Sequence, residues 1–94
     1  MNDIYLKIEK YRYAAAELRR MADDLGDSRL SMTGLMGFIG DAWQGTAADV
    51  FLESSEWTVK DIERLRFDLE DLAANIDTEI TVLEEASLNA KGRP

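Results

Sequence analysis

Ten apolar residues in the first 39 positions stand in alternating steps of four and three: Ile4, Ile8, Tyr11, Ala15, Leu18, Ala22, Leu25, Met32, Met36 and Ile39, with only Arg29 breaking the series. Residues so spaced fall on one face of a helix. Strict four-three stepping is the seam along which helices pack side by side as in a coiled coil. A second stripe runs through Ala48, Phe51, Ser55, Thr58, Ile62, Leu65, Leu69, Leu72, Ile76, Ile80 and Leu83, most apolar from Ile62 onward. Val50, Trp57, Val59, Phe67 and Val82 lie off this stripe and widen the apolar surface beyond one seam.

The stripes are separated by Gly40-Asp41-Ala42-Trp43-Gln44-Gly45-Thr46. Two glycines bounding so short a segment end one helix and begin another. Thr46 and Asp49 have the spacing of a capping box, and the Asp49 carboxylate falls in the first turn, where the helix dipole favours it. The pattern therefore predicts helix 1 over about residues 3–39, a turn over 40–46, helix 2 over about 47–87 and a polar tail over 88–94. Two long helices joined by a short loop make an antiparallel hairpin, so the fold class is all-α.

Charge supports that register. Folding about Trp43 and Gln44 sets residue i opposite about residue 87 − i. Lys7 to Arg20, with five basic and two acidic residues, then faces Asp68 to Ile80, with five acidic residues and no basic one. Asp23, Asp24 and Asp27 fall opposite Arg64, Glu63 and Lys60. Exposed pairs are worth only about 0.2–1 kcal/mol each, so they speak for register more than for stability. Within helix 1, Gly26, Gly34 and Gly37 each cost about 1 kcal/mol against alanine. Two readings follow: a helix broken near Gly26–Gly34, or Gly34, Gly37 and Gly40 as a row where another backbone comes close.

A chain of 94 residues is one domain with a small core. Disulfides, metals and oligomerisation are the usual supports of so small a core. Without cysteine or histidine, this sequence has no disulfide, no nucleophile–base pair for catalysis and no Glu-x-x-His metal motif. Neighbouring acids such as Asp23-Asp24, Glu70-Asp71 and Glu84-Glu85 point about 100° apart on a helix and do not converge, so they read as a solvated acidic face. No cofactor or enzyme activity is expected. A net charge of −8 argues against nucleic acid and anionic lipid as partners, and no stretch has the ~20 apolar residues of a membrane span. Oligomerisation is the remaining support: the hairpin is expected to dimerise into a four-helix bundle through Phe51, Trp57, Ile62, Leu65, Leu69, Leu72 and Ile76. Helix 2 is the more acidic half, at −7 for residues 48–94 against −1 for residues 1–47. A homodimer should therefore bring helix 1 faces together, or else the partner is less acidic.

Trp43-Gln44-Gly45 between two long helices, at the midpoint of a chain near one hundred residues, resembles the WXG family, the early-secreted-antigen-like small proteins of bacterial type VII secretion. Thr46-Ala47-Ala48-Asp49-Val50-Phe51 is also similar: small residues lead to an aromatic one turn into the second helix. The resemblance spans residues 1–88. It implies a hairpin that pairs with itself or with a WXG-type partner and leaves the cytoplasm without a cleaved signal peptide, through a secretion-system ATPase. It further implies a role outside the cell, as an effector or co-secreted partner. The alternative is an intracellular helical adaptor that brings a larger toxin to the same system. The family's Tyr-x-x-x-Asp/Glu export signal has its nearest counterpart at Ile80 to Glu84, with Ile80 in place of the tyrosine. Either this signal is degenerate or the partner supplies it. Trp43 and Gly45 have two readings: packing at the open end of the bundle, or part of a surface read by the export machinery.

Overall fold

A computed structural model describes residues 2–91 as two long helices, α1 (Asn2–Ala42) and α2 (Thr46–Lys91), with no strand among the described residues. They lie side by side as an antiparallel hairpin measuring 76 × 14 × 14 Å. Its radius of gyration is 21.2 Å, where a compact domain of this length would have about 12 Å.

Helix α1 is unbroken through Gly26, Gly34, Gly37 and Gly40, so the strain of its glycines does not open it. Gly40 lies inside the helix and does not end it; the turn is only Trp43, Gln44 and Gly45. Gly45 has a φ of +120°, in the left-handed region that glycine alone enters cheaply. Its carbonyl accepts the Asp49 amide at 3.0 Å, the first hydrogen bond of α2. Gly45 is thus the cap residue, Thr46 is already helical, and the capping-box reading is one residue late. At the other end α2 runs to Lys91, so the expected polar tail is helical from 88 to 91, while 92–94 lie outside the described residues.

All ten apolar residues of the first stripe are buried or half-buried. Helix α2 differs from expectation. Its inward row is Ser55, Val59, Ile62, Arg66, Leu69, Ala73, Ile76, Ile80, Leu83 and Ser87. Thr58, Leu65 and Leu72 point outward, and Val59, Arg66 and Ala73 take their places. The reason is steric and electrostatic. Ala73 is fully buried, as are Ala15, Ala22 and Ala48 at 1–2 % exposure; methyl groups let the helices approach where leucines would hold them apart. Arg66 lies inward because its Nε donates to the Ala22 carbonyl at 3.3 Å, and its guanidinium covers Gly26, 3.2 Å from where a Cβ would stand.

Arg66 and Ala22, whose numbers sum to 88, fix a register within one residue of the expected fold. That register sets Ala15 against Ala73 and Ile8 against Ile80. The cross-helix ion pairs are Arg12–Glu84 at 3.3 Å, Arg19–Asp77, and Arg29–Glu63 at 2.7 Å. The pairs expected across the hairpin, Asp23 with Arg64 and Asp27 with Lys60, are not among the ion pairs of the described residues; Asp24, which that register sets opposite Glu63, binds Arg20 of its own helix at 2.9 Å.

Candidate functional site

The hairpin is a ribbon with two broad faces of different chemistry, and the heptad spacing of each helix assigns residues to them. One face is charged. Along α2, Asp49, Glu56, Glu63, Glu70, Asp77 and Glu84 follow one another seven residues apart. Glu84 and Asp77 meet Arg12 and Arg19 of α1, and the Asp77 contact raises the Arg19 pKa above its ordinary value. Glu63 lies between two arginines, 2.7 Å from Arg29 Nε and accepting from Arg66 Nη1 at 2.9 Å. The Arg29 contact is purely electrostatic, since its buried Nε is not aimed at the oxygen for a hydrogen bond. Arg29, the one break in the first stripe, thus sits in a polar layer where the inward row of α2 is also interrupted, at Arg66.

The opposite face carries charge only at its rims: its central rows, from Ala14 to Ala42 on α1 and from Ala48 to Ile76 on α2, have none. Ser28, Met32, Leu35, Phe51 and Ser55 line one shallow open groove, with Ser31 and Asp27 on its rim. Met21, Leu25, Leu65 and Leu69 line a second, rimmed by Arg20 and Asp24. Leu72 continues the row of Phe51 and Leu65 at heptad spacing. Met21, Leu35, Leu65 and Leu72 are 45–50 % exposed. Of the residues expected at the seam, Ile62, Leu69 and Ile76 line it and Phe51 is half-buried at its edge, whereas Leu65 and Leu72 belong to this outer face. Trp57 is on neither face: it is 61 % exposed on the outer side of α2, with Lys60 Nζ 4.9 Å from its ring centroid. Val50, Phe67 and Val82 are likewise exposed, and only Val59 of that set turns inward. The apolar face is legible only when the second stripe is stepped through Arg66 and Ala73; choosing leucine over arginine hides it.

At the hairpin tip the Trp43 amide donates to the Ile39 carbonyl at 2.8 Å, continuing the helical pattern, while its side chain stays 47 % exposed. Within one chain the indole does not seal the bundle end. Ile80 is 7 % exposed in the seam and Glu84 is held by Arg12, so of the candidate export pair only the carboxylate reaches the surface. No atom lies within 4 Å of a Cβ placed at Gly34, Gly37 or Gly40; the close backbone approach considered for them does not occur within the chain. Among the described residues, no group of three His, Cys, Asp or Glu is placed to hold a metal ion, and no helix is long and apolar enough to cross a membrane.

No protein-family model, curated protein or solved structure matches this chain.

Proposed function

We propose that the chain is a non-enzymatic association module, half of a four-helix bundle, exported by a bacterial type VII secretion system as a dimeric effector or co-secreted partner. One observation carries the association: among the described residues no large side chain is fully buried, and the most buried apolar residues are four alanines and two isoleucines. The large apolar groups remain in water. The accessible surface of 7055 Å² exceeds by about 1,600 Å² what a compact monomer of 10.6 kDa would show. Burying each half-exposed leucine or methionine completely would recover roughly half of the ~1.5–3 kcal/mol available to such a side chain.

Support for export comes from the turn. Trp43-Gln44-Gly45 is the whole connection between the helices, and its indole is reachable at the tip of a rod. The test is export of a tagged chain from a host with and without the secretion ATPase, alongside Trp43→Ala and Glu84→Ala. A Trp43→Ala protein that stays helical and associated yet remains inside the cell is the expected result. Export of wild type without the ATPase would overturn the reading. Export of both variants at wild-type level would remove Trp43 and Glu84 from the signal.

A further inference from the structure

We propose that α2 carries a second docking row on its outer side, and that this row takes a helix of an unlike chain whose matching row sets two acids between apolar residues. The row is Glu53, Trp57, Lys60, Arg64, Phe67 and Asp71. Its steps are four, three, four, three and four, so its members fall on one face of the helix. The inward row from Ser55 to Ala73 lies two positions further along at every step, about 200° round the helix. The docking row therefore points away from α1, and all of its members are exposed. Its length is about 27 Å, or about five turns.

Its chemistry is that of a surface waiting for a partner. Trp57 and Phe67 are 61 % and 63 % exposed, with Lys60 Nζ 4.9 Å from the Trp57 ring centroid. Tryptophan and arginine are the residues most over-represented where a few side chains hold an interface together. Arg12, Arg19, Arg20, Arg29 and Arg66 each pair with a carboxylate, whereas neither Lys60 nor Arg64 is in an ion pair among the described residues. Arg64 is the one arginine of those residues left out. The cations that stand between the two rings are thus the ones available to a partner's acids.

Charge order says what the partner is not. From Glu53 to Asp71 the row reads acid, ring, base, base, ring, acid, the same from either end about Ile62. Turned end for end against a copy of the chain, Glu53 would meet Asp71 and Lys60 would meet Arg64. Side by side in register, each residue would meet itself. Like charges oppose each other in both arrangements, which is how an interface rejects a wrong partner. The complement is a helix row reading base, apolar, acid, acid, apolar, base, and the symmetry lets it dock in either direction. Phosphate chains and anionic lipid fit poorly, because Glu53 and Asp71 close the row and Asp61 and Asp68 flank its cations. The row stays in water when Phe51, Leu65 and Leu72 are covered, and a hairpin that failed to form the bundle would still present it.

The probe is a fluorescein-labelled helical peptide of about 25 residues with one row reading Lys, Leu, Glu, Glu, Leu, Lys at the same steps. Its twin has Lys and Glu exchanged. Fluorescence anisotropy with the full chain should give saturable, micromolar binding of the first peptide and at least about tenfold weaker binding of the twin. The double variant Lys60→Glu, Arg64→Glu should keep the helical spectrum and prefer the twin. Trp57→Ala should weaken the first peptide by about tenfold. Equal binding of the two peptides to wild type, no binding at about 1 mM, or an unchanged preference in the double variant overturns the inference. A Trp57→Ala chain whose light-scattering mass falls below that of wild type overturns it too, since the row would then hold a second copy. Binding of a single-stranded oligonucleotide, or of vesicles containing phosphatidylserine, that the double variant abolishes also overturns it.

Discussion

Glu63 bridges Arg29 and Arg66 in the middle of the hairpin, and neutralising it should destabilise the fold by about 2 kcal/mol. The three side chains are 33, 35 and 28 % exposed, so each is about two-thirds buried. Removing one member of a fully buried ion network costs about 3–5 kcal/mol, because it leaves charge without a counter-charge, whereas an exposed pair is worth about 0–1 kcal/mol. Partial burial places Glu63→Gln between these limits. The amide keeps the shape and an acceptor for Arg66, but two guanidinium groups then face each other with no anion between them. Urea unfolding followed by circular dichroism, at one fixed protein concentration because association adds to apparent stability, should show the midpoint falling by roughly 1–2 M for a slope near 1 kcal/mol/M. The companion is the triple replacement Arg29→Met, Glu63→Met, Arg66→Met. Apolar groups of similar length avoid desolvating the ions and extend the seam through the layer, so the triple variant should equal or exceed wild type. A Glu63→Gln midpoint within error of wild type, or a triple variant less stable than the single one, would refute the assignment of this layer as a half-buried ion network.

Ala73→Leu should cost about 1–3 kcal/mol, read as a lower melting temperature, because a fully buried methyl site between close helices has no room for three more carbons. Gly45→Ala should cost about 1–3 kcal/mol through the backbone alone: no atom would meet the added methyl, but alanine is strained at a φ of +120°. Glu17 accepts hydrogen bonds from Arg20, which holds its carboxyl below the ordinary 4.5. A lowered carboxyl stabilises the fold above its unfolded-state value and loses that contribution as pH falls through the lower, folded-state one. Arg20→Gln should therefore be less stable than wild type near neutral pH, with the gap closing as acid protonates the Glu17 carboxyl.

The first stripe was fully legible because apolar residues fill every seam position of α1 except Arg29, and no competing row on that helix is equally apolar. The second was ambiguous. From Ile62 to Ile76 the sequence allows stepping through Leu65 and Leu72 or through Arg66 and Ala73, and hydrophobicity favours the leucines. What decides is closeness: Ala73 opposite Ala15 draws the helices together, and Arg66 has a carbonyl and a carboxylate to reach inside. Neither is a property of α2 read alone. The glycines of α1 misled in a related way. Gly40 resembles a helix stop by composition, but the chain reverses at Gly45, where the backbone needs a positive φ. The cross-helix pairs of Arg12 and Arg19 follow from the inverted charge pattern, while Asp24, set opposite Glu63, takes the arginine one turn away on its own helix.

The same choice of small residues for the seam explains why the hairpin has a working surface at all. If Leu65 and Leu72 lay inside, they would no longer add to the apolar outer row of Met21 and Leu35. With alanine and arginine inside, the leucines are displaced by about a seventh of a turn onto one face, and the acids at the next heptad position are displaced onto the other. One substitution pattern thus produces both an apolar face and an acidic face partly neutralised by its own arginines. In the bundle proposed above, the apolar face would supply the driving force for association, and a copy approaching the charged face would bring Asp49, Glu56 and Glu70 against the same acids. A ribbon attractive on one face and repulsive on the other would then stop at two hairpins and not grow into an open stack.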